Sequence, residues 1–306
     1  MKYVKYTLVS LFLVFILLTG CTKKEAKLIA SDIDEYGYTV PQGNNSYDQR
    51  ITDYYKRYGV YLLYKFTSRD AYWSITKWDS TYRVIPADSA FVDRQLTLLD
   101  TTFFRFYQDS TLRKYLPAKF LLCKSIRNNG TGAELDTYFS GAGNSTGYIY
   151  ETFIANWGSS RILNIRGVKD SAVIFRGNIN YGFLRLMDQK SKMGKSDAFG
   201  AATDYTTPII NTTQAERYKR GFLNTFPSTT PPGLQADWYN FLQAIVQNPY
   251  SYLTNSVGMT ANNTTYQGML TPVKDSSGLI RRKYDEIVNY YLTNYNIDLR
   301  RIGDGR

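Results

Sequence analysis

The order of apolar patterns along the chain limits the fold more than any other feature. Short strand-like runs, "VYLLYKF" (60–66), "YRVIP" (82–86) and "KFLLCKSI" (119–126), stand in the first half. Long runs of helical period, "LQADWYNFLQAIVQN" (234–248) and "LIRRKYDEIVNYYLTNY" (279–295), stand in the second. Strands mixed with helices at first and helices alone later predict an α+β domain with a helix-rich C-terminal half.

The remaining segments fill in that order. "SYDQRITDYYKRYG" places Ile51, Tyr54, Tyr55 and Tyr58 at helical spacing, with Ser46 as the expected N-cap and Gly59 as the stop. "YWSITKW" reads as a further short strand, joined to "YRVIP" by a turn at Asp79-Ser80. Apolar residues at 91, 92, 96, 99, 103 and 106 predict a second helix over 90–109, and Pro117 closes the segment after it. Residues 128–147, rich in Gly, Asn, Thr and Ser, read as a long loop. "NINYGFLRLMDQ" (178–189) reads as one short amphipathic helix, with Ile179, Phe183, Leu186 and Met187 inward and Arg185, Asp188 and Gln189 outward. A lysine-rich loop follows at 189–196, then a helix near 212–222 and a loop at "FPSTTPPG". No internal repeat is visible.

The first twenty residues stand apart from this pattern. Lys2 and Lys5 precede an apolar run from Leu8 to Leu18, and Leu18-Thr19-Gly20-Cys21 follows at once. A positive start, an apolar centre and a lipobox-like tetrad predict a lipoprotein signal peptide over 1–20, with lipid on Cys21. Residues 21–45, polar and then turn-rich, are expected to tether the lipid to a single domain over 46–306. Without Lys2 and Lys5 the formal charge falls from +11 to +9. No run of basic residues builds a nucleic-acid groove, so the charge suits an acidic glycan or lipid headgroups better. The expected location is the outer membrane, on the cell surface or the periplasmic face, held by the lipid anchor.

Cys123 is then the one remaining thiol, and its apolar setting predicts a buried small side chain. The chain has no histidine. That removes Ser-His-Asp and Cys-His catalysis, and the His-Glu-x-x-His helix in which two imidazoles four residues apart share one zinc ion. Carboxylates alone favour harder ions. Asp136 and Glu151 flank the glycine-rich loop, and Asp237, Asp285 and Glu286 lie in the helical half, where helix-surface charge is the expected role. No metal and no cofactor beyond the Cys21 lipid is expected.

Four stretches carry a resemblance: "YDQRITDYYKRYGVYLLYKFTSRDAYW", "LRKYLPAKFLLCKS", "DYTTPIINTTQAERYKRGF" through "GLQADWYNFLQAIV", and "GLIRRKYDEIVNYYLTNYNIDLRRI". In this order they resemble the substrate import-associated zinc metallohydrolase lipoproteins, zinc-binding metallopeptidases encoded beside SusC/SusD-type nutrient importers in Bacteroidota. The resemblance implies a zincin-like fold and importer proteins as partners. The family's mid-chain helix reads roughly His-Glu-Phe-Gly-His-Ile-Leu. Anchored on Gly182, it puts Ile179 and Phe183 at the two histidines and Asn180 at the glutamate. A later Glu-Asp-Phe-Ala-Glu falls on residues 236–240, where Asp237 remains and Asn240 replaces the last acid. This would be a degenerate member, its fold kept and its zinc ligands lost.

Three functions fit these observations. One is a non-catalytic accessory lipoprotein that binds oligosaccharide or peptide or docks on partners, favoured by the missing ligands and by 28 tyrosines and 4 tryptophans. The second is an active hydrolase with an atypical carboxylate-based site. The third is an envelope structural or adhesion lipoprotein.

Overall fold

The computed structural model describes residues 37–72, 81–139, 152–165, 171–191, 193–209, 213–223 and 230–306. The signal segment, Cys21, Glu151 and the run from Trp73 to Trp78 lie outside them. Residues from Thr39 onward form one body. Residues 40–45, counted with the tether in the sequence, lie against it. The Gln42 side chain accepts from the Tyr64 and Lys65 amides at 2.9 and 3.0 Å, and the Asn45 amide donates to the Tyr64 hydroxyl at 3.1 Å.

The chain begins with helix α1 (Asp48–Tyr58), strand β1 (Tyr61–Leu63) and a short helix α2 (Ser68–Tyr72). No side chain caps α1 at its Tyr47 start, and Gly59 ends it in the left-handed region at φ 71°. Tyr72, expected in a strand, is the last residue of α2. Strand β2 (Tyr82–Pro86) follows, then α3 (Val92–Thr102) and α4 (Asp109–Tyr115). The expected continuous helix over 90–109 is therefore broken. Phe103 leaves the helix at φ −135°, and a 3-10 turn spans Phe104–Phe106. Phe103, Phe104, Phe106 and Tyr107 are all buried.

Strand β3 (Lys119–Asn128) is the centre of the sheet. Its first half runs parallel to β1 on one side and to β5 (Thr152–Ala155) on the other, and its second half runs antiparallel to β2. Strand β4 (Thr137–Phe139) pairs antiparallel with β5 at the edge, giving the order β1-β3-β5-β4. The loop expected over 128–147 thus contains a strand, which at three residues is too short to stand out in sequence. Parallel strands covered on both faces need apolar side chains at successive positions. Phe120, Leu121, Leu122 and Cys123 are each fully buried.

Helix α5 (Ser171–Ser191) opens a series of helices: α6 (Asp197–Ala201), α7 (Gln214–Lys219), α8 (Leu234–Gln247), α9 (Tyr250–Leu253), α10 (Leu279–Tyr295) and α11 (Leu299–Asp304). The mid-chain helix is longer than the 178–189 read from sequence. Its first turns, "SAVIF", look strand-like, and its last run into the expected lysine-rich loop. No helix among the described residues is long and apolar enough to cross a membrane. The fold is a mixed α+β one, with helices gathered in the second half as the order of patterns predicts.

Helices α5 and α8 pack side by side, and Gly177 makes this possible. A Cβ at 177 would stand 2.8 Å from the Gln247 Cα. Gly177→Ala is expected to push α8 away and to destabilise the protein by about 1–3 kcal/mol, the usual cost of overpacking. Urea unfolding monitored by tryptophan fluorescence reads this directly, and an unchanged midpoint would show that the crossing is not tight.

Candidate functional site

Helix α5 lies where chemistry would be expected, and its three faces have different surroundings. Ile179 and Phe183 point into the core with no exposed surface. Phe183 meets the Phe103 and Tyr107 rings edge-on at 5.1 and 4.8 Å. Asn180, between them, is also fully buried. Its amide donates to the Thr102 and Arg176 carbonyls, both at 2.7 Å, and its oxygen accepts the Tyr107 hydroxyl at 2.8 Å. A buried amide with all these bonds made is a structural clamp between α3, α5 and the turn before α4. Its hydrogen-bonding capacity is used up inside the protein.

The second face of α5 meets α8. Asp188, expected on the solvent side, is instead 3% exposed. It accepts from Lys195 Nζ at 2.6 Å and from the Tyr239 hydroxyl of α8. Asp237, expected as helix-surface charge, is a second correction. It has no exposed surface and pairs with the equally buried Lys283 of α10 at 2.6 Å. Tyr205 also donates to it at 2.7 Å. The Lys283 ammonium donates to the Gly221 carbonyl at 3.0 Å and is walled by the Phe199, Tyr205, Phe222 and Phe241 rings, 4.8 to 5.6 Å away. Burial pushes the Asp237 carboxyl up and the Lys283 ammonium down, and each charge offsets the shift of the other. Lone acids in amphipathic helices read as surface charge unless the partner helix is known, so sequence offered no signal for either pair.

The third face of α5 is open. Ile174 is 54% exposed, and Asn178, Tyr181 and Arg185 follow along the same stripe, each half-buried. Across from it α8 presents Tyr239, Gln243 and Gln247, four residues apart on one face. The two stripes run antiparallel. Gln247 donates to the Asn178 oxygen at 2.8 Å, and Arg185 stands over the Tyr239 ring at 5.0 Å and the Tyr181 ring at 5.6 Å. Asn178 in turn donates to Asp136, the residue before β4, which also accepts from the Trp157 indole at 2.8 Å. At the Ile174 end of the stripe lies a cavity of about 370 Å³ lined by Asp136, Trp157, Arg161, Asn164, Ser171 and Ile174. Trp157 adopts φ 81°, a region strained for a bulky side chain, and its amide is held by the Asn156 oxygen at 2.7 Å.

A helix-borne metal site needs two donors four residues apart on a face open to a third. On α5 that face carries Tyr181 and Arg185, and α8 faces them with Tyr239. An arginine is a cation and donates only, so this set does not fit zinc. Asn240, next to Tyr239 on α8, is half-buried. Among the described residues no three His, Cys, Asp or Glu side chains gather closely enough to hold a metal ion. Cys123 is buried and its thiol is pushed well up by burial, as its apolar setting predicts.

No family model matches the chain, and no curated protein matches it. A solved structure from Bacteroides caccae, described as a "putative zinc-binding metallo-peptidase", does match in fold. It is 13% identical with a TM-score of 0.50, and the match covers 86% of this chain and 92% of that one. The chain therefore has a metallopeptidase-like fold. At that identity the likeness speaks for the fold alone.

Breaking the Asp237–Lys283 pair should be far worse than removing it whole. Lys283→Met alone leaves a buried, uncompensated carboxylate and is expected to cost about 3–5 kcal/mol. The double variant Asp237→Leu/Lys283→Met should recover much of that loss. Chemical unfolding of the two variants checks this, and equal losses in both would mean that the pair is not coupled.

Proposed function

We propose that this protein is a lipid-anchored, zincin-like member of the metallohydrolase lipoproteins that has given up metal catalysis and works by binding. The observation that carries the reading is the Arg185 guanidinium lying between the Tyr181 and Tyr239 rings on the open face of α5. Anchoring the family's His-Glu-Phe-Gly-His-Ile-Leu on its phenylalanine, at Phe183, puts Tyr181 and Arg185 at the histidines and Gly182 at the glutamate. Leu186 and Met187 then take the two apolar positions. That register keeps the motif on the groove, whereas the register on Gly182 directs it into the core. In either register the general base is lost, to Gly182 or to the hydrogen-bonded Asn180. Zinc catalysis requires nitrogen, sulfur or carboxylate donors and an activated water, and a positively charged side chain repels the ion instead.

The purified protein should therefore contain no stoichiometric zinc, cleave no peptide in a zinc-dependent way, and melt at the same temperature with or without chelator. A ligand that does not bind the native state cannot stabilise it. One zinc per chain by elemental analysis, or a chelator-sensitive peptidase activity, would overturn this reading and favour an active hydrolase.

The tetrad Leu18-Thr19-Gly20-Cys21 supports lipidation, and with it an outer-membrane site beside SusC/SusD-type importer proteins. Cys21→Ala should shift the protein out of the membrane fraction. An unmodified mature N-terminus at another residue, found by mass spectrometry, would reject the anchor.

A further inference from the structure

Arg185 has an unusual set of neighbours for a half-buried charge. Its Nε is buried and finds no hydrogen-bond partner. The acid one turn further on, Asp188, is already taken by Lys195 and Tyr239. No carboxylate among the described residues forms an ion pair with Arg185, whose guanidinium lies 5.6 and 5.0 Å from the Tyr181 and Tyr239 ring centres and hydrogen-bonds the Tyr181 side chain. A flat fork of donors, held by aromatic faces and left without an anion, is the geometry that takes a carboxylate in two parallel hydrogen bonds.

The site extends away from Arg185 along the groove. Ile174 lies eleven residues earlier on the same helix, about 16 Å at the usual helical rise, and the cavity beside Trp157 lies at that end. Between the two ends stand the Gln243 amide, the Tyr181 phenol, and the Asn178 and Gln247 amides, which bond each other. Amides and phenols along a groove, with an indole at its far end, complement a chain of hydroxyl-bearing rings. The formal charge of +9 left without Lys2 and Lys5 favours an anionic one.

We infer that the groove between α5 and α8 binds an acidic oligosaccharide and that Arg185 holds a uronate carboxylate of it. This deepens the binding reading above and rests on it. Bound so, the sugar's carboxylate occupies the place on the open face of α5 where a metallopeptidase would hold its cation.

The test is titration calorimetry of the full mature protein with trigalacturonate, and with maltotriose as the neutral counterpart. Trigalacturonate should bind, more weakly as salt rises, and maltotriose should bind at least about ten-fold more weakly. Arg185→Gln should lower the trigalacturonate affinity about ten-fold or more, the loss expected for a charge-assisted pair. Arg185→Lys keeps the charge without the fork and should fall between the two; it also serves should Arg185→Gln fail to fold. Arg127→Gln, an exposed position off the groove, should bind as the native protein does. Equal affinity for the two sugars, no binding of trigalacturonate, unchanged binding by both Arg185 variants, or Arg185-dependent binding of hexaglutamate alone would each overturn the inference. A zinc-free, catalytically inert protein that ignores trigalacturonate loses this inference alone; a zinc-dependent peptidase loses the binding reading as well.

Discussion

A lysine ammonium with no exposed surface sits in the helical half, and the segments around it are placed by the need to satisfy its charge. Lys283 comes from α10, its carboxylate partner Asp237 from α8, its second polar contact from the Gly221 carbonyl after α7, and one of its ring walls, Phe199, from α6. Gly221 stands at φ 80°, where a side chain would be strained and would crowd Thr203, so glycine lets that carbonyl turn inward. A buried charge left unpaired is costly. Any arrangement that moved α8 relative to α10 would separate the pair. With α8 so fixed, its Tyr239, Gln243 and Gln247 stripe is fixed as well.

Helix α5 then joins the two halves through three unlike faces. The Ile179 and Phe183 face closes the aromatic core below the sheet, with Asn180 stitching it to α3. The Gly177 and Asp188 face meets α8. The Asn178 and Arg185 face stays open, tied at one end to β4 through Asp136. A groove results whose floor is helical, with one end held by the part-buried Asn178–Gln247 and Asn178–Asp136 hydrogen bonds and the other by Arg185 over the Tyr239 ring. Such a groove is set by the fold before any ligand arrives, which lowers the cost of binding.

Much of the architecture was legible because α8 and α10 keep a strong helical period and β3 is an unbroken apolar run. The α+β ordering followed from those segments. The break at Phe103 was not legible, since Phe103, Phe104, Phe106 and Tyr107 fall on one side of a helix and so satisfy its period. Strand β4 was hidden by its length and by the glycine-rich residues around it. Asp188 and Asp237 looked like surface charge because nothing in a single helix reveals a buried partner from another. The site was the hardest part. If the proposed family motif is placed on this helix, only apolar residues serve as anchors, and Gly182 and Phe183 give two registers that differ by the face of the helix they choose. Packing distinguishes them: Ile179 and Phe183 are inside, Tyr181 and Arg185 at the groove.

What occupies that groove distinguishes a metal site from a binding site. Crystals of the mature protein grown with zinc, measured on both sides of the zinc absorption edge, would show it. The expected result is the Arg185 guanidinium between the Tyr181 and Tyr239 rings, with no anomalous peak between α5 and α8. An anomalous peak in the groove, with Arg185 swung away and oxygen donors drawn in, would contradict the claim that this face has exchanged a metal ion for an arginine.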